Sequence, residues 1–387
     1  MPKKLTYDTC DIYFINMQKK IFWIVIILAI IAVVIGVNYR SDVEDDFIVK
    51  IGVLSPLTGS FASFGEDFST GVRIAADGQN HNIEIVEEDT ASDPKAAISA
   101  MNKLIAEGVT IFVGGPSSSV NLALIPIAEQ NKVIFIGQSK TTKMDDAGEY
   151  IFRIFPLVDE EARMMADYII SKKSIDEAAI IFDSSSDTTI MARDIFKKSF
   201  EDIGGKITIV EGFDSKSVKD YRTMLLKVKS GNPKAIYLAV TENPSGPLLK
   251  QIKDMGIAAP IFGWSVLDTE RLLKTGGTAT EGLVMTAESF TCDRDSLTKT
   301  YCTMYAQKAG DTIPQYIGAY AHDTIDLLAD LVEKHDGDFE KIRTGLSNIQ
   351  GRKGVVGDIT IDAKGNIQKS DFIFKTFKNG EIVKLEE

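Results

Sequence analysis

Three hydroxyls in a row, Ser117, Ser118 and Ser119, stand where an apolar run at 109–113 meets Gly114, Gly115 and Pro116. Beyond them residues 120–128 are apolar at helical spacing, with Ser118 or Ser119 placed as the N-cap. A strand that ends in glycines and feeds a serine-capped helix presents unpaired N–H groups and the positive end of a dipole. That is a seat for a carboxylate or a phosphate. Ser139 and Thr141 follow the next apolar run, 133–136, and Phe64 stands in a turn-rich loop at 55–65. In the second half of the chain comparable strand ends carry Asp187, Glu242 and Trp264. Asp187 or Glu242 could act as a general acid or base, yet no nucleophile–base pair is visible. The chain has no Gly-x-Ser-x-Gly elbow, no P-loop and no Gly-x-Gly-x-x-Gly after a strand. Hydroxyl-rich, histidine-free strand ends suit hydrogen-bonded holding of a small polar ligand better than turnover, so no catalytic residue is expected.

Each of these residues has a plainer use. Serines at strand ends make turns and caps, Phe64 could be a loop aromatic, Trp264 could be core, and Asp187 could cap the helix after it. The coincidence of several such ends in both halves favours binding.

Composition narrows the classes. With 44% hydrophobic and 25% charged residues the chain is an ordinary globular protein, which excludes collagen, coiled coil and disorder. The net charge of −12 and the lack of a basic stripe speak against a nucleic-acid partner. His81, His322 and His335 are scattered and the cysteines form no C-x-x-C pair, so no metal site and no cofactor are expected. Cys292 and Cys302 can bridge only if Cys292 lies in the loop before its helix and folds back.

The length, 387 residues, exceeds what one core usually organises and suggests two lobes. Residues 47–54 read as a buried parallel strand, and 83–88 alternate as an edge strand would. Asp93 and Pro94 open a helix that Gly108 stops. Strands at 109–113, 133–136 and 150–155 complete a doubly wound lobe. A second lobe repeats the rhythm. Its strands are expected at 178–182, 206–210, 235–240 and 260–262, and its loops at 183–189 and 241–246. Helices at 296–309 and 316–333 follow, and two terminal strands must return to one of the lobes because they cannot pack alone.

Residues 21–37 are apolar and uncharged, at the lower edge of spanning length, with Lys19 and Lys20 before them and Asp42, Glu44, Asp45 and Asp46 behind. They are expected to form a transmembrane anchor with the large C-terminal part outside the cytoplasm. A cleaved signal segment is the rival reading, although no small-x-small cleavage site and no lipid-carrying cysteine follow. Residues 1–20 would be a short cytoplasmic segment, in which Met17 reads as a conventional start, and 38–47 a linker.

From about Val49 onward the chain resembles the type I periplasmic-binding-protein fold, specifically the branched-chain (Leu/Ile/Val) amino-acid binding family of ABC importers. The resemblance is carried by 51–59 with Phe64 and Gly65, by 88–96, by 113–119 and by 316–323, in that order and spacing. It implies two doubly wound α/β lobes joined by three crossovers. Lobe 1 would comprise 48–155 plus 286–350, and lobe 2 would comprise 156–285 plus 351–387. It further implies that Ser118, with Ser117 adjacent, and Ser139 and Thr141 hold a ligand carboxylate, while Phe64 lines the side-chain pocket. The second lobe departs from the family pattern. Asp187 stands where a tyrosine is usual, and Pro244, two residues after Glu242, stands where an acid for the ligand ammonium is usual. Either Asp187 or Glu242 takes over that ammonium, or the ligand carries no amine. The expected function is capture of an amino acid or related small carboxylate for ABC permease subunits. The alternative is a ligand-sensing module acting with a signalling partner.

Overall fold

The computed structural model describes residues 23–31, 47–78, 82–310, 312, 314–368 and 372–385. Residues 23–31 form a helix, α1, and among the described residues no helix is long and apolar enough to cross a membrane. The expected segments 1–20 and 38–46, Cys10, and both ends of the apolar run 21–37 lie outside the described residues.

From Ile48 onward the chain forms one unit built on two sheets. The first contains β1 (Val49–Ser55), β2 (Ile83–Asp89), β3 (Ile111–Gly114), β4 (Ile134–Gly137) and β5 (Ile151–Phe152). All are parallel, in the order β2-β1-β3-β4-β5. The connecting helices are α2 (Ala62–Asp77), α3 (Pro94–Ala106) and α4 (Ser118–Asn131). Helix α3 starts because the Asp93 carboxylate accepts from the N–H groups of Lys95 and Ala96, with Pro94 at the first position. Gly108, at φ +87°, takes the left-handed turn that ends it. Leu104, Phe112, Leu124 and Phe135 fill one core beneath this sheet. Each contributes roughly 1.5–3 kcal/mol by burial, more than the weak preferences of four-residue strands can oppose.

The second sheet follows the same winding. Helix α5 (Val158–Asp167), prolonged by a single π turn at Tyr168–Lys172, leads to β6 (Glu177–Asp183), α6 (Asp187–Asp202) and β7 (Lys206–Phe213). Next come α7 (Arg222–Ser230), β8 (Ala235–Ala239), α8 (Glu242–Asp254), β9 (Ile261–Gly263), α9 (Glu270–Gly276) and β10 (Val284–Glu288). After α10 (Ser296–Ala309), α11 (Tyr316–Lys334), α12 (Phe339–Leu346) and the β11–β12 hairpin (Arg352–Gly354, Gly357–Ile359), the chain ends in β13 (Phe372–Lys378) and β14 (Glu381–Lys384). The sheet order is β14-β13-β10-β9-β8-β6-β7, with β13 and β14 antiparallel to their neighbours. Of the two expected terminal strands, 372–377 becomes β13 in this sheet, while 358–366 contributes only β12 and a bridge from Asn366 to Arg153 beside β5.

Two expected boundaries move. Strand β10 carries the second sheet to Glu288, past 285. Residues 352–367, expected in lobe 2, pack on lobe 1. The Asp323 carboxylate of α11 accepts from Val355 and Val356, and Arg153 exchanges backbone hydrogen bonds with Gly365 and Ile367 beside β5. The chain up to Gln368 thus stays with lobe 1, where Val355, Ile359 and Ile361 are buried, and Phe372 opens β13 of the second sheet. The two helices after the second crossing join lobe 1 through α2. The Asp67 carboxylate accepts from Tyr305 of α10 and from the N–H groups of Gln315 and Gly318. Cys292 lies in the loop before α10 and bridges Cys302, with Cα atoms 5.8 Å apart. That is the geometry the spacing required.

Candidate functional site

In an open α/β sheet the ligand crevice lies at the carboxyl ends of the strands, where the strand order reverses. That point falls between β1 and β3 in the first sheet and between β6 and β8 in the second. The loops leaving those four strands face one another across a cleft with a cavity of ≈ 130 Å³. A cavity of this scale takes one small ring or a short branched side chain.

Ser117, Ser118 and Ser119 form the lobe 1 wall. Helix α4 starts at Ser118 and its N-cap is Ser117, one residue before the expected cap, with no capping bond from the Ser117 side chain. The first-turn N–H groups therefore keep their donor capacity for an anion. Asn121, fully buried one turn on, donates to the carbonyls of Gly115 and Gln138 at 3.0 and 2.8 Å. It ties the β3 and β4 loops together, a positioning role the sequence pattern does not reveal. Gly115 allows the serine loop to lie against β1, since a Cβ there would meet Pro56 Cδ at 2.7 Å.

The expected residues divide. Ser117, Ser118, Phe64 and Trp264 line the cleft. Phe64 belongs to the first turn of α2 and is buried, not a loop aromatic, because α2 begins at Ala62 within the expected loop. Trp264 is also buried, and its indole N–H donates to Val240 O at 2.8 Å. Ser139 sits behind Ser118, donating to its Oγ at 3.0 Å, and Thr141 is buried further back with its hydroxyl accepting from Lys143 N.

Asp187 and Glu242 do not line the cleft. Asp187 is the first residue of α6, its side chain 46% exposed on the rim and 3.2 Å from Lys143 of lobe 1. Glu242 opens α8, which begins inside the expected 241–246 loop and so turns the side chain away from the cavity. One Glu242 oxygen accepts from Ser63 Oγ of α2 at 2.8 Å, and Asn243 donates to Ser60 O at 2.7 Å. Both acids thus join the lobes at the cleft mouth.

Asp183 and Lys140, which the sequence did not single out, face the cavity instead, together with the exposed Lys216 and with Tyr316. Asp183 ends β6. Its Oδ1 accepts from Ser185 N, Ser185 Oγ and Ser215 N, and Thr241 Oγ1 lies 3.4 Å from Oδ2. The only local signal was a strand-end aspartate followed two residues later by serine, an ordinary Asx turn. Lys140 follows β4 and is 5% exposed, with Nζ 2.6 Å from Glu161 and 3.5 Å from Glu288. The rings of Phe155, Tyr316 and Phe372 lie 5.2–5.7 Å from the ammonium. Burial alone would depress the Lys140 ammonium, but the facing Glu161, Tyr316 and Glu288 outweigh it and hold its pKa above the ordinary lysine value. Burial pushes Glu288 up to about 8, which Lys140 only partly offsets. One lysine between two acids balances one negative charge, and the more distant acid keeps its proton. Glu161 is further pinned through its second oxygen by Ser265 N at 2.8 Å and Thr286 Oγ1 at 2.9 Å. No group of histidine, cysteine or acidic side chains among the described residues could hold a metal ion.

Comparison with known proteins places this geometry in a family. The pattern of the family described as periplasmic binding protein matches residues 48–381. The Leu/Ile/Val-binding protein homolog 2 of Brucella abortus (strain 2308) is 27% identical over 376 residues, spanning 94% of this chain and 98% of the relative. A leucine-, isoleucine-, valine-, threonine- and alanine-binding protein of Pseudomonas aeruginosa is 25% identical, spanning 84% and 88%. Among solved structures, a leucine-binding protein from Thermotoga maritima MSB8 superposes with a TM-score of 0.81 at 25% identity, covering 88% of this chain and 98% of that one. A solute-binding protein of R. palustris in complex with benzoate shares the fold at TM-score 0.78 and 20% identity, covering 87% and 95%.

Proposed function

The chain belongs to the periplasmic binding protein family, and from that premise we propose that it captures a small carboxylate, an amino acid or a related acid, and delivers it to an ABC importer. The observation that carries this reading is the cleft itself. It joins a helix N-terminus uncapped by its serine side chain to a wall containing Phe64 and Trp264, at the switch points of both sheets. The Leu/Ile/Val-binding relatives support the ligand class. Binding closes the lobes, and the permease subunits recognise the closed clamp. The chain acts as a binder and not as an enzyme. The apolar run 21–37 serves as a membrane tether or signal segment and keeps the binding domain extracytoplasmic, and the Cys292–Cys302 bridge suits an oxidising compartment.

A thermal-shift panel of amino acids and organic acids tests the reading. A true ligand at 100-fold its Kd adds about 2.7 kcal/mol. Ser118→Ala, which removes a hydroxyl from the cleft wall, is expected to lose most of that gain at the same ligand concentration. A panel in which no amino acid and no organic acid shifts the melt removes the main support for transport.

A further inference from the structure

The charges that line the cavity are unequally matched. Lys140 is balanced by Glu161, whose second oxygen is held by Ser265 N and Thr286 Oγ1, so that pair offers a ligand no net charge. Asp183 has no such balance. It is 1% exposed, and Ser185, Ser215 and Thr241, which donate to it, are all neutral. Lys216, the other cation of the lining, is exposed and makes no ion pair with it. The two Asp183 oxygens are also unequal. Oδ1 accepts from Ser185 N at 3.0 Å, Ser185 Oγ at 2.7 Å and Ser215 N at 3.2 Å, whereas Oδ2 has only Thr241 Oγ1 at 3.4 Å. A carboxylate oxygen accepts two bonds readily, and a contact of that length leaves most of the capacity unused. The Oδ1 bonds fix the group at the end of β6, on the lobe 2 side of the cleft that Ser117 and Ser118 bound from lobe 1.

We propose that Asp183 is the cation seat of the cleft: its Oδ2 receives a protonated amine of the ligand, while the ligand carboxylate sits at the α4 N-terminus. The inference rests on the carboxylate-binding reading above. It gives Asp183 the role expected of Asp187 or Glu242, which stand outside the cavity lining. Charge balance selects the amine. A ligand carboxylate brings a second negative charge into a cavity that already holds Asp183, and Lys140 is engaged by Glu161. Two like charges at low dielectric repel, and an ammonium carried by the same ligand removes that cost. It also gives Oδ2 a charge-assisted hydrogen bond in place of the long Thr241 contact. A ligand hydroxyl would fill the oxygen and leave the charge uncompensated. Asp183 is held only by loops of lobe 2 and the serines belong to lobe 1, so a ligand with both groups bridges the lobes.

Matched ligands test it by calorimetry. Leucine is compared with 2-hydroxy-4-methylpentanoate and 4-methyl-2-oxopentanoate, and phenylalanine with 3-phenylpropanoate. The wild-type protein is expected to bind the amine-bearing member of a set at least about tenfold more tightly, the scale of a desolvated charge contact. D183N keeps an oxygen for the loop N–H groups and removes the charge. It is expected to lose about tenfold or more of that preference, while binding of the amine-free members stays within about threefold. Equal or tighter binding of the amine-free members by the wild type overturns the inference and leaves the carboxylate reading standing. So does an unchanged preference in a D183N protein that melts cooperatively. Should D183N fail to fold, D183S, which still offers an oxygen to the loop, is held to the same comparison. If no member of either set binds the wild type, the carboxylate reading falls, and this inference with it.

Discussion

At the scale of single residues the cluster of Lys140, Glu161 and Glu288 ties stability to pH. Glu288 is raised from its ordinary 4.5 to about 8 by burial, facing Lys140, Glu161, Glu160 and Tyr316. The folded protein therefore keeps a proton that the unfolded chain releases between those two values. Stability contributed by this group is fully present below about 4.5 and is lost as pH rises through about 8. Replacing Glu288 by glutamine removes that dependence, so the fall in Tm between pH 5 and pH 8.5 should be shallower in the variant than in the wild type. Equal slopes would assign the titration to another group. Asp67, raised by burial to about 6 despite three hydrogen bonds, adds a fall of the same sign at lower pH, and this part persists in the Glu288 variant. The same scale shows why Asp187 and Glu242 were misplaced. Each occupies the first residue of a helix whose start, one turn earlier or later, decides whether a side chain faces the cavity or the rim.

At the scale of elements, α2 and α11 fasten the helices that follow the second crossing to lobe 1. They approach closely because both carry glycine at the contact. A Cβ on Gly71 would lie 2.0 Å from the carbonyl oxygen of Gly318, a backbone atom that cannot rotate away. Gly71→Ala must push the two helices apart. It is expected to cost about 1–3 kcal/mol or more, read as a lower urea midpoint with little change in slope. Elements with strong local signals were legible beforehand. Asp93 and Pro94 start α3, Gly108 ends it, and α10 begins and ends where its spacing placed it. The short elements α9, α12 and β14 were not, because seven or eight residues carry too little periodicity to stand out from a loop.

For the whole molecule, the clamp is held at its mouth by a few contacts between lobes: Ser63 to Glu242, Asn243 to Ser60, and Lys143 to Asp187. The Lys143–Asp187 pair is half exposed and screened, so it contributes little. Ser63 donates to a carboxylate that is almost fully buried, which makes it the stronger latch. Ser63 is absent from the cavity wall, so Ser63→Ala tests closure separately from ligand contact. Hydrogen bonds to charged groups contribute about 1.5–3 kcal/mol, and a bond made only in the closed state adds that much to ligand affinity. The variant should bind the same ligand roughly tenfold or more weakly by calorimetry, with a larger radius of gyration in solution scattering at subsaturating ligand. Unchanged affinity would mean that this contact does not hold the clamp.

The sequence alone determined the two-lobed winding, the serine-rich helix start at the cleft and the aromatic positions Phe64 and Trp264, because caps, turn glycines and buried strand runs act over a few neighbouring residues. Only the tertiary structure decided which charged groups line the cavity and which pair elsewhere. Lys140 finds Glu161 and Glu288 at separations of 21 and 148 residues, and Glu242 finds Ser63 at 179. Burial turns those distant pairings into fixed charges, and no local window of sequence contains both partners.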